Sequence, residues 1–193
     1  MADQHRLQWG DLSVEANRIG DRFDWRILWE PLSASALPLL QSVPSPIDTA
    51  WPPFPPLQEL AQESHSDTEV LLGVGMAGKS HWSVSVDRRQ PPHQPAMVFD
   101  FACRLSGSPA FLGACWMLGE GLHAIPPASL NLPWLLRRNA TTIATLTPDN
   151  HTSLRLEGNQ VQLIPNLGTG GIQGTVRWGF RIARPEASQS PNS

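Results

Sequence analysis

The clearest pattern in the chain lies between residues 80 and 107. From 81 to 88, Trp82, Val84 and Val86 alternate with His81, Ser83, Ser85 and Asp87, the two-residue period of a strand with one buried face. From 97 to 105, Met97, Phe99, Phe101, Cys103 and Leu105 share one face, and Val98, Asp100, Ala102 and Arg104 share the other. The connector RQPPHQP is rich in proline and poor in helix formers, so the two runs predict an antiparallel hairpin with a long, stiff loop. Keeping the apolar faces together places Val86 opposite Phe99, Val84 opposite Phe101 and Trp82 opposite Cys103. The same register sets Ser85 against Asp100 and His81 against Arg104. A slip of one residue would bury that whole polar row.

Similar patterns recur on both sides. Leu12, Val14 and Ala16, then Phe23, Trp25, Ile27 and Trp29, alternate about Ile19-Gly20 and predict a first hairpin over 12–29. A bulge or wide loop is expected at its turn, because Ile19 disfavours the positive φ of a tight primed turn. Val70, Leu72, Val74 and Met76 share a face with Gly73 and Gly75 opposite, which predicts a close neighbour on the glycine side. Residues 111–118 and 140–147 read as strands. Gly158-Asn159 predicts a two-residue turn that pairs Leu156 with Val161 and Leu154 with Leu163. The last strand turns Val176, Trp178, Phe180 and Ile182 inward and Arg177 and Arg181 outward, where a solvated strand face is the expected reading and recognition of an anionic partner the alternative.

Three segments depart from alternation. Residues 56–64, PLQELAQES, read as one short helix opened by Pro56. Residues 132–139 read as a short helical turn after a loop. Residues 31–56 hold eight of the nineteen prolines, interleaved with large apolar residues, so they predict an extended arm laid over the core in place of a flexible linker. The expected fold is an all-β antiparallel β-sandwich or barrel of about nine strands in a single domain over 1–185. It carries a proline-rich arm (31–56) and one short helix, and the polar residues 186–193 are expected to form a disordered tail.

Composition narrows the function classes. Fourteen basic and seventeen acidic residues give a net charge of −3, which supplies no electrostatic footprint for nucleic acid or an anionic membrane. No secretory signal opens the chain and no run reaches the roughly 20 apolar residues of a membrane span, so a soluble cytoplasmic protein is expected. That setting makes Cys103 and Cys115 reduced core thiols and makes the acceptor patterns at Asn139 and Asn150 fortuitous. The six histidines show no metal-ligand spacing, and neither a metal nor a cofactor is expected. The glycine-rich stretch 166–174 lacks the Lys-Ser/Thr ending of a phosphate loop and leads into a strand, so it reads as a turn. Of the eight tryptophans, in a chain with no tyrosine, Trp25, Trp29, Trp82 and Trp178 fall on expected core faces, while the alternation does not assign Trp9, Trp51, Trp116 and Trp134.

The candidate site is the outward row His81, Ser83, Ser85, Asp100 and Arg104. Catalysis has little local support there, because His81 lies roughly 13 Å from Ser85 along an extended strand and no GxSxG elbow is present. The pairing of HWSVSV with FDFACRL resembles a stretch in small uncharacterised proteins of planctomycete bacteria. It covers about 25 residues of the chain and implies a bacterial cytoplasmic setting with no activity to transfer. The function expected is a non-enzymatic binding or assembly module, its partner a protein, a small ligand or a second copy in a homo-oligomer. The alternatives are a small-ligand-binding protein or enzyme using the polar row, and a client whose PPFPP segment enters a proline-recognition groove.

Overall fold

The alternating runs become strands in the expected registers. In the computed structural model, which describes residues 3–30, 35–46, 49–65, 68–89, 96–129, 132–167 and 174–185, the first strands are β1 (Gln4–Trp9), β2 (Leu12–Ile19), β3 (Arg22–Trp29) and β4 (Leu37–Ser42). They are followed by β5 (Leu57–His65), β6 (Thr68–Ala77), β7 (Ser80–Arg89) and β8 (Ala96–Arg104). Next come β9 (Ala114–Leu118), β10 (Leu122–Ile125), β11 (Trp134–Arg138) and β12 (Thr141–Pro148), then β13 (Thr152–Glu157), β14 (Gln160–Pro165) and β15 (Thr175–Ala183). Strands β7 and β8 pair with Val86 against Phe99, Trp82 against Cys103 and His81 against Arg104. Strands β13 and β14 pair Leu156 with Val161 and Leu154 with Leu163. The hairpin loop 90–95, the glycine-rich residues 168–173 and the tail 186–193 lie outside the described residues.

Two antiparallel sheets result, ordered β1-β2-β3-β4-β9-β14-β13 and β10-β11-β12-β15-β8-β7-β6-β5. They pack face to face as a sandwich and do not close into a barrel. The strand number is fifteen among the described residues, above the expected nine, because short strands hide where alternation is interrupted.

The expected helix over 56–64 is instead the edge strand β5. Leu57 pairs with Gly75 and Leu60 with Gly73, with a register shift between Leu57 and Glu59. That bulge adds one residue, so two leucines three apart both face inward. Their spacing imitates a helical turn. The Gln58 side chain repairs the ladder at the bulge, its Oε1 accepting from the Met76 N–H at 2.9 Å. The expected helical turn at 132–139 is likewise strand β11, paired with β10 and β12. The first turn is also tighter than expected: Ile19 pairs with Arg22, and Gly20 takes the positive φ in place of Ile19.

The arm is built into the sandwich. Its β4 segment sits between β3 and β9, with Leu37, Leu39 and Leu40 buried, and Pro38 stands at the bulge in the β3–β4 pairing, where a missing N–H is tolerated. Further on, Pro52, Phe54, Pro55 and Pro56 are all buried.

An aromatic layer joins the two sheets. Phe99, Phe101, Trp178 and Phe180 of β8 and β15 stack on one another, with centroids 4.6 Å apart for Phe99 and Phe180 and 5.6 Å for Phe101 and Trp178. Trp116 reaches them from β9 of the other sheet, edge-on to Phe99 at 5.9 Å and Phe180 at 6.0 Å. Phe54 of the arm closes on Trp116 at 4.8 Å. Edge-to-face and offset contacts of this kind add about 0.5–1.5 kcal/mol each beyond the area they bury.

Both cysteines are free and buried, Cys103 within this core. Burial pushes the Cys103 thiol from 9.0 up to about 12, and burial with the nearby Glu157 charge pushes Cys115 up to about 11. Below pH 9 both folded and unfolded chains hold these protons, and no stability depends on them. Above it the unfolded chain releases protons that the folded core retains. Stability therefore falls as pH rises, by about 1.4 kcal/mol per pH unit for each thiol. With no tyrosine in the chain and Lys79 its one lysine, little else titrates in that window. Urea midpoints are expected to drop between pH 9 and 11 in the natural chain, and to stay nearly level in a Cys103→Ala/Cys115→Ala variant. Equal slopes in the two would contradict the burial account.

Candidate groove on the eight-stranded sheet

Strands β7 and β8 lie inside the eight-stranded sheet, flanked by β6 and β15. Because their inner positions carry Trp82, Val84, Phe99 and Phe101, every polar residue of the predicted row points to the outer face. His81, Asp100 and Arg104 are exposed there, and Ser83 and Ser85 are half-buried.

The neighbouring strands extend that row. Met76 stands opposite His81 and Val74 opposite Ser83 on β6, while Thr175 stands opposite Arg104 and Arg177 opposite Ala102 on β15. At the edge, Glu59 of β5 is paired with Val74. These residues form two adjacent cross-strand rows, and together with Gln58 and Gly75 they line an open groove of about 460 Å³. Its basic end is Arg104, Arg177 and His81, its middle is Ser83, Ala102, Val74 and Met76, and its far end is Gln58 and Glu59.

The structure divides the five predicted site residues. His81, Ser83 and Arg104 line the groove, whereas Ser85 and Asp100 do not. Asp100 lies one row further on, opposite Gly179 of β15. A turn from β12 to β13 supports that end of β15: the Asp149 N–H donates to the Gly179 carbonyl at 3.0 Å. The Gly179 N–H donates to Thr152 Oγ1 at 2.8 Å, and Thr152 Oγ1 donates to Asp149 Oδ1 at 2.6 Å. The absence of a side chain at Gly179 leaves room for Asp100 Oδ1 and Asp149 Oδ2, each 3.1 Å from where its Cβ would stand. This second cluster is a structural clasp at the place where β12 leaves the sheet.

Sequence reasoning missed the apolar part of the groove and did not join Arg177 to it. The signal was present in the row Val70, Leu72, Val74 and Met76 opposite two glycines. The glycines face the core, so the apolar row faces out, and Val74 and Met76 are 50% and 44% exposed. Among the described residues no group of three or more His, Cys, Asp or Glu side chains converges where it could hold a metal ion. No helix there is long and apolar enough to cross a membrane. Compared with protein-family models, curated proteins and solved structures, the chain matches none.

Proposed function

We propose that this protein is a non-enzymatic binding module whose small ligand lies across the strands from β5 to β15 in the outer groove. The groove itself carries the reading. Its volume of about 460 Å³ lies within the ~300–1,000 Å³ of small-molecule sites, and it combines a modest apolar surface with a few convergent polar groups. Apart from Gln58 and Glu59 on the edge strand β5, its walls stand on interior strands of the larger sheet, which hold side-chain positions more closely than loops do. Binding is favoured over catalysis because neither Ser83 nor Ser85 shares a hydrogen bond with His81 among the described residues, so no nucleophile and base are paired. Delivery of the PPFPP segment to a proline-recognition domain would require Phe54, 3% exposed, to leave the aromatic core.

Ala102 supplies the test, since it faces the groove between Ser83 and Arg177. An Ala102→Trp variant is expected to fill the groove without touching the core, leaving the melting temperature unchanged. In a saturation-transfer screen of small fragments, compounds that bind the natural chain are expected to lose their signal with the variant. Hits that bind both chains equally would overturn the reading.

A further inference from the structure

The charge pattern of the groove, taken with the binding role proposed above, names the class of its ligand. Arg104 and Arg177 are diagonal neighbours across the β8–β15 pair, a separation of about 7–8 Å between α-carbons. Two long guanidinium side chains can converge on one small group over that distance. Arg6, Arg18, Arg22, Arg26, Arg88 and Arg184 each have a carboxylate within salt-bridge distance, but Arg104 and Arg177, like Arg137, Arg138 and Arg155 elsewhere, have none among the described residues; of these only Arg104 and Arg177 line the groove. His81, directly opposite Arg104, adds a further N–H donor and no acid. Neighbouring like charges on a sheet repel, and a bound anion removes the repulsion. The planar fork of arginine matches a carboxylate or phosphate in particular.

The rest of the groove restricts the anion further. Val74 and Met76 offer an exposed apolar surface beside the basic end, which a purely polar ion would leave wetted. Glu59 lies beyond Val74 in the same cross-strand row as Arg177 and repels a second negative charge at that end. Orientation follows, with the charge toward β15 and the apolar portion toward β6. We infer that the groove receives a small anionic amphiphile, with one carboxylate or phosphate head on Arg104 and Arg177 and a short apolar tail over Val74 and Met76.

Isothermal titration of the full chain with octanoate, hexyl phosphate, hexanol and inorganic phosphate tests this directly. Octanoate or hexyl phosphate is expected to bind about tenfold or more tightly than hexanol and inorganic phosphate, and the tighter of the two identifies the head group. An Arg104→Gln/Arg177→Gln chain is expected to lose at least about tenfold in affinity for that amphiphile, the scale of a single lost charge-assisted hydrogen bond. Met76→Gln is expected to weaken the amphiphile and leave inorganic phosphate unaffected. If neither amphiphile binds, or if the double variant binds as well as the natural chain, the anionic assignment is wrong. Neutral fragments still displaced by Ala102→Trp would then leave the binding module standing. If nothing that binds is sensitive to Ala102→Trp, both readings fall together.

Discussion

Replacing Trp116 with alanine is expected to cost about 3–5 kcal/mol, read as a lower denaturant midpoint at constant slope. Trp116 is fully buried and is the ring through which β9 of one sheet meets Phe99 and Phe180 of the other, with Phe54 of the arm against it. Alanine would therefore leave a cavity at the joint of three parts of the chain. Trp116→Phe is expected to lose much less, about 1–2 kcal/mol. The Trp116 indole N–H is buried with no hydrogen-bond partner among the described residues, so the smaller ring also removes that unsatisfied donor. A loss below about 1 kcal/mol for the alanine variant would mean that the inter-sheet layer contributes far less than its geometry implies.

The second large effect is expected at Gly75, through the backbone. A Cβ there would stand 1.9 Å from the Pro56 carbonyl oxygen and 2.9 Å from the Leu57 Cα. Neither is the free end of a flexible side chain, so the strand entering β5 must move. Gly75→Ala is expected to cost about 3 kcal/mol, at the upper end of overpacking penalties, and to expose β5 to proteolysis ahead of the rest of the sheet. Gly107→Ala serves as the control, because among the described residues nothing beyond its two chain neighbours lies within 4 Å of its Cβ position. Equal stability in the two variants would contradict the close approach of the arm to β6.

The close approach at Gly75 was legible as two glycines on one strand face, though not its identity. Legibility followed how locally each feature is encoded. The β7–β8 register is legible because two alternating runs adjoin and their apolar phases lock together, which by itself sets His81 opposite Arg104. Strand β5 was misread because its bulge puts Leu57 and Leu60 on one face at helical spacing. Strand β10, with four residues, is too short for a period to register inside a proline-broken segment, and β4 was obscured by Pro38. The groove was half legible for a different reason. Arg177 enters it because β15 pairs with β8, joining Val176 to Cys103 across a long stretch of chain that no local pattern connects. The outward direction of Val74 and Met76 likewise depends on which face of β6 meets the core, and apolar residues alone do not reveal that.

The most direct test of the central claim, that the outer face of the eight-stranded sheet is the binding surface, is amide chemical-shift mapping with the tightest ligand from the fragment screen or the titrations. Perturbations are expected to concentrate at residues 74–76, 81–83, 102–104 and 175–177, with β1 to β3 of the opposite sheet silent. Perturbations centred on the seven-stranded sheet, with those four segments unchanged, would contradict the account.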